Sequence, residues 1–302
     1  MSTLIPYIFR ILQGITPDWA ARLALQLFTT PIRYKRPDRE QQFFTFMNRE
    51  RVAVSFQREQ LYDVAYARGK TLTHRFNDDT DKNYFTVYHG GSGPHILLVH
   101  GWSGRASQFV TLAEKLINEG FSVYSFDAFG HGDSPGRHAS MLEFLWLIRK
   151  MDALYGPFQA IVGHSLGGIA GGFAIQEGMK VPRLVTIGSP ATWQFIIENY
   201  VQMIGANQRT REFLENFTLR FTQRTAQQFS LAWAMEQTDV DGIIIHDQND
   251  REVPYHQALI LKDHWSRAGI YTTENLGHHR ILRDVKVIRR ITAFLSAALV
   301  AN

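Results

Sequence analysis

From residue 95 onward, short unbroken apolar runs alternate with segments of helical spacing, and this restricts the chain more than any other feature. Residues 95–99, 121–126, 158–162, 184–187 and 242–245 lack the in-out alternation of a half-buried strand. They read as strands covered on both faces. Residues 107–118 and 140–154, and the segment from Leu166, read as helices; Gly120 and Gly156-Pro157 mark the first two ends. Residues 270–274 are the expected last strand and 285–299 a closing amphipathic helix. Strands separated by helices are βαβ units, so the expected fold class is α/β with a mostly parallel, doubly wound sheet. Three further strands are expected ahead of it, at 52–57, 70–76 and 84–89. The turn residues Asn77, Asp78, Asp79 and Asp81 make the last two a hairpin, an antiparallel edge to the larger sheet.

Residues 190–238 break the alternation. The stretch is too long for a structureless loop, is helical in pattern and carries Trp193, Phe195, Tyr200, Phe213, Phe217, Phe221, Phe229 and Trp233. It is expected to be a helical cap inserted into a core of residues 52–189 and 239–302. Its aromatics would either line a pocket or form the cap's own core. Residues 1–51 are expected to be a helical extension: two short amphipathic helices meeting at Pro17, then a charged, helix-favouring stretch over 38–51. The two helices would either pack on the main domain, the preferred reading, or touch a membrane surface. Arg10, Asp18 and Arg22 interrupt any membrane-spanning run. Neither the early basic cluster nor the cleavage site of a signal peptide is visible, so a cytoplasmic location is expected.

Composition narrows function mostly by exclusion. The chain has no cysteine, which removes disulfides, thiolate nucleophiles and cysteine-bound metals. A net charge of +4 over 302 residues is too small and dispersed to argue for nucleic acid. The basic stretches 33–36 and 286–290 read as a solvated loop and a solvated helix face.

Gly163-His164-Ser165-Leu166-Gly167 follows an apolar strand and opens a helix. A G-x-S-x-G motif needs that setting, because its serine sits on a sharp, strained strand-to-helix turn. The helix start behind it offers free N–H groups and a positive dipole end to a developing oxyanion. With the strand ending in His100-Gly101-Trp102 and the turn Asp127-Ala128-Phe129-Gly130-His131-Gly132-Asp133-Ser134, the chain from about Phe85 resembles the α/β-hydrolase superfamily.

That resemblance implies an α/β-hydrolase fold and a Ser-His-Asp triad with Ser165 as nucleophile. It implies oxyanion donors at the backbone amides of Trp102 and Leu166. His100 and His131 are expected to be structural. The acid follows in the segment Asp247-Gln248-Asn249-Asp250-Arg251-Glu252-Val253-Pro254, whose D-x-x-V-P portion favours Asp250 over Asp247. The base follows in Leu276-Gly277-His278-His279, where the preceding glycine favours His278 over His279. The expected reaction is hydrolysis of a small to medium apolar carboxylic ester through an acyl-enzyme. Thioester, lactone, lipid-ester, amide or C–C cleavage, or a receptor that keeps the triad, stay open, since fold does not fix substrate. Nothing requires a cofactor, and no histidine and carboxylate pair has metal-ligand spacing.

Overall fold

The computed structural model describes residues 4–54 and 83–297. Two N-terminal helices, α1 (Ile5–Ile15) and α2 (Pro17–Phe28), meet at Thr16, with Pro17 pre-set for the first turn of α2. A short helix α3 (Phe43–Phe46) leads into β1 (Asn48–Ala53). Then follow β2 (Tyr84–Gly91), β3 (His95–Val99), α4 (Val110–Asn118), β4 (Ser122–Asp127), α5 (Met141–Tyr155), β5 (Ala160–His164), α6 (Leu166–Gln176) and β6 (Arg183–Ile187). Three helices come next, α7 (Trp193–Met203), α8 (Gln208–Thr222) and α9 (Leu231–Glu236). The chain closes with β7 (Asp241–Asp247), α10 (His256–His264), β8 (Ala268–Thr273), α11 (Gly277–Arg280) and α12 (Val285–Ser296).

The strands form one sheet in the order β1-β2-β4-β3-β5-β6-β7-β8. The β1–β2 and β2–β4 pairs are antiparallel and the others parallel. The apolar runs are explained by helices on both faces. Leu97, Val99, Ile161 and Leu184 join one buried cluster with residues of α5 and α6, including Phe144, Ile148 and Phe173. Ile96, Leu98, Val162 and Val185 point the other way, onto Leu112 and Leu116 of α4 and Ile288 and Ile291 of α12.

One sequence expectation needs correction. The stretch 38–51 is not one helix, because the sheet already begins at Asn48. Register with β2, from Asn48 opposite His89 to Ala53 opposite Tyr84, overrides the local helical preference. The strand expected at 52–57 therefore starts earlier, and its later residues lie outside those described. So do the strand expected at 70–76 and its hairpin turn. The basic loop 33–36 is also more than a solvated surface. Arg33 donates to the carbonyls of Gly130, Ser134 and Gly136, and Arg36 pairs with Asp133, so the segment is tied to the turn after β4. No helix among the described residues is long and apolar enough to cross a membrane.

Candidate active site

Ser165 stands between β5 and α6 with φ 52° and ψ −120°, a strained conformation for any residue but glycine. Its amide donates to Ile187 of β6 at 2.9 Å, which fixes the turn to the sheet. The flanking glycines are needed for close approach. A Cβ at Gly163 would fall 2.4 Å from the Gly168 nitrogen, and one at Gly167 2.2 Å from the Val99 carbonyl oxygen. Leu166 is the first residue of α6, where N–H groups have no acceptor inside the helix. Trp102 lies in the turn after β3, and a Cβ at Gly101 beside it would meet the Ser165 Cβ at 2.8 Å.

Asp250 and His278 arrive from the loops after β7 and β8. Both are buried, and His278 Nδ1 donates to Asp250 Oδ2 at 2.7 Å. The other carboxylate oxygen of Asp250 accepts from the amides of Glu252 and Val253 at 2.8 and 2.9 Å. Burial raises the Asp250 carboxyl, but the hydrogen bond and charge of His278 and the two amides outweigh it. The group is held below the usual carboxylate range. His278 Nδ1 is thereby engaged by Asp250. Ser165 and His278 open on one cavity of about 1140 Å3.

The rivals occupy different places. Asp247 Oδ1 accepts from the Asn249 amide, and Oδ2 accepts from Thr273 Oγ1 and the Leu276 amide. It thus braces the two loops against each other. His279 is largely exposed and pairs through Nε2 with Glu252 at 2.9 Å, which holds its imidazole above the usual histidine range. His100 is buried: its Nδ1 donates to the Gly101 carbonyl and its Nε2 accepts from the Ala128 amide, while burial lowers it to about 4. His131 Nδ1 lies 2.8 Å from the Phe129 carbonyl in the turn after β4.

Sequence reasoning missed two histidines. His164 Nε2 donates to the backbone carbonyl of His278 at 2.9 Å, and the two rings lie 4.6 Å apart. Burial, then the charge of His278, holds His164 well below its ordinary value, so it stays neutral. His246 donates from Nε2 to the Val253 carbonyl at 2.7 Å, and that nitrogen is 3.8 Å from Asp250 Oδ2. Burial lowers this histidine too. The only signal available for either was a polar residue at the buried end of a strand.

The cavity wall comes from three remote parts of the chain. Beyond the loops above, it is lined by Trp193, Phe195 and Tyr200 of α7, by Phe217 and Phe221 of α8, and by Leu27 and Phe28 of α2. Tyr200 donates to the Ala24 carbonyl at 2.7 Å, which docks α7 on α2. The aromatics of 190–238 therefore both border the cavity and pack on one another. Trp193 and Phe229, for example, are nearly buried, stack edge to face and border the cavity.

A family model described as the alpha/beta hydrolase family matches residues 96–290. The sn-1-specific diacylglycerol lipase ABHD11 of Xenopus laevis is 33% identical over 132 residues, covering 38% of this chain and 42% of the relative. A pimeloyl-[acyl-carrier protein] methyl ester esterase of Vibrio vulnificus strain YJ016 is 36% identical over 101 residues, covering 33% of this chain and 38% of the relative. The chain thus spans about two fifths of the length of these curated relatives. Among solved structures, a Pyrococcus furiosus esterase is similar in fold, with a TM-score of 0.60 at 14% identity over 89% of this chain and 96% of that one. With the motif order, the sheet topology and a family match over more than half its length, the chain belongs to the alpha/beta hydrolase family.

Proposed function

We propose that this protein hydrolyses carboxylic esters through Ser165, His278 and Asp250. The observation that carries the reading is the buried 2.7 Å His278–Asp250 pair, whose histidine shares a cavity with a serine on a strained strand-to-helix turn. In the reaction, the Ser165 hydroxyl oxygen attacks the ester carbonyl carbon while His278 Nε2 takes its proton. Asp250 holds the imidazole in the required tautomer and stabilises its positive charge. The amides of Trp102 and Leu166 receive the oxyanion, each worth about 10²–10³ in rate. The alcohol leaves with the proton from His278. Water, deprotonated by the same nitrogen, then attacks the acyl-enzyme, releasing the acid and restoring Ser165.

The helices α7 to α9 act as a lid, and the substrate's acyl part lies against their aromatics and against Leu27 and Phe28. Apolar walls of this kind favour an apolar ester. The names of the sequence relatives, a diacylglycerol lipase and a methyl ester esterase, support ester cleavage. The test is a fluorophosphonate probe followed by mapping of the modified peptide, with turnover of nitrophenyl esters measured beside the matching anilides. Labelling is expected at Ser165, abolished by Ser165→Ala, with esters turned over many times and anilides hardly at all. Labelling elsewhere would remove the nucleophile assignment. Labelling at Ser165 with a single turnover would favour a receptor over an enzyme.

A further inference from the structure

The outer face of α1 is apolar where a surface helix is normally polar. Leu4, Tyr7, Ile8, Ile11 and Ile15 fall at helical spacing on one side, and Trp19 continues the series in α2. These six side chains are 47% to 73% exposed. The opposite face is already used. Phe9 is fully buried, and a Cβ at Gly205, in the turn between α7 and α8, would meet the Pro6 Cβ at 2.8 Å. Gln13 donates to the Gly205 carbonyl and accepts from the Asn207 amide. The helix is thus pinned to the α7–α8 turn, and its second apolar stripe is left exposed.

We propose that this stripe is a docking surface for an anionic lipid bilayer, with α1 lying in the plane of the interface. Charge decides between a bilayer and a second copy of the chain. The two helices carry Arg10 and Arg22, both exposed and without a carboxylate partner among the described residues. Their one acid, Asp18, is paired with Arg209. Apposing two identical faces would set cations against cations, whereas anionic headgroups complement them. Tyr7 and Trp19 add the amphipathic aromatics that settle at headgroup depth. The packed face of α1 also lies close to the cavity. Met203, half exposed and part of the cavity wall, lies next to the α7–α8 turn on which Pro6 sits. A bilayer held by α1 is therefore brought near one edge of the cavity.

The test uses the full chain and vesicle flotation, comparing phosphatidylcholine alone with vesicles containing phosphatidylglycerol. Wild type is expected to float with the anionic vesicles. The variant I11S/I15S/W19S should weaken partitioning at least ~10-fold, because it removes three outward contacts and leaves Phe9 and Leu12 in place. The variant R10E/R22E should lose more than about fivefold per cation on anionic vesicles and change little on neutral ones. Thermal unfolding midpoints within a few degrees of wild type would show both variants folded. Flotation of the triple variant equal to that of wild type, or no flotation of wild type at any composition, would overturn the proposal. So would a dimer in analytical ultracentrifugation that the triple variant dissolves, which would assign the face to a second copy. The measurement is independent of the catalytic reading, since Ser165→Ala should float as wild type does.

Discussion

Replacing Asp250 by Asn tests the site more sharply than removing it, because shape is kept and only proton logic changes. In Asp250→Asn the amide oxygen can still accept from the Glu252 and Val253 amides. The NH2 group then occupies the place of Oδ2 and faces His278 Nδ1, formerly 2.7 Å from an acceptor. Two donors cannot share that contact, so Nδ1 must become the acceptor and the proton moves to Nε2. The imidazole then cannot take the Ser165 proton, and no carboxylate offsets its charge. A wrong tautomer of this kind costs about 10⁴ in kcat, or roughly 5.5 kcal/mol of barrier. Asp247→Asn behaves differently. Its amide keeps one acceptor and can donate to Thr273 Oγ1, so the chief loss is a single bond, from either the Leu276 or the Asn249 amide. That loss costs about 1.5–3 kcal/mol of stability and less than ~10-fold in kcat. The assay is steady-state turnover of a nitrophenyl ester, with unfolding midpoints measured on the same samples. A folded Asp247→Asn as inactive as Asp250→Asn, or an Asp250→Asn that keeps a tenth of wild-type kcat, would refute the reasoning.

Arg105→Met should destabilise the chain by about 3–5 kcal/mol, because Arg105 bridges buried Glu40 at 2.7 Å and its loss leaves that carboxylate without a counter-charge, held only by the Ser107 hydroxyl among the described residues. Urea midpoints would show it, and Arg105→Met with Glu40→Leu should recover most of the loss; no recovery would contradict the account. His279→Gln should leave kcat within a few-fold and lower stability by under about 1 kcal/mol, since both members of the His279–Glu252 pair are more than half exposed. The His279 imidazole is raised by Glu252, so the pair's contribution is complete below the unfolded histidine value near ~6.5 and fades as pH rises through the higher folded value. The unfolding midpoints of wild type and variant should therefore differ at pH 6 and converge at pH 9; a gap that widens with pH would reverse the assignment.

What was legible in the sequence had a local physical cause. An unbroken apolar run such as 95–99 announces burial on both faces, whatever the rest of the chain does. Gly163 and Gly167 announce a crowded turn, because only a missing Cβ lets β3 and α6 approach so closely. The start of β1 was not legible, because Arg49 and Glu50 are extended only through their register with β2, and pairing is not a local property. The choice between Asp247 and Asp250 was partly legible for a related reason. Both sit in one turn, and what separates them is which carboxylate faces His278, a fact set by a loop some thirty residues later.

The cavity shows the same limit at the level of function. Its reactive end is built from residues next to strand ends, where sequence motifs report position well. Its apolar end is built where α2 docks on α7 through Tyr200 and Ala24, and each side alone reads as an ordinary amphipathic helix. Neither helix declares that its inward face lines a cavity instead of filling a core, because both demand the same apolar spacing. Hence motifs suffice to nominate the chemistry, while the shape of the apolar end depends on how Leu27, Phe28 and the aromatics of α7 and α8 stand relative to one another. The second N-terminal helix, easily taken for part of an appendage, is therefore part of the cavity wall.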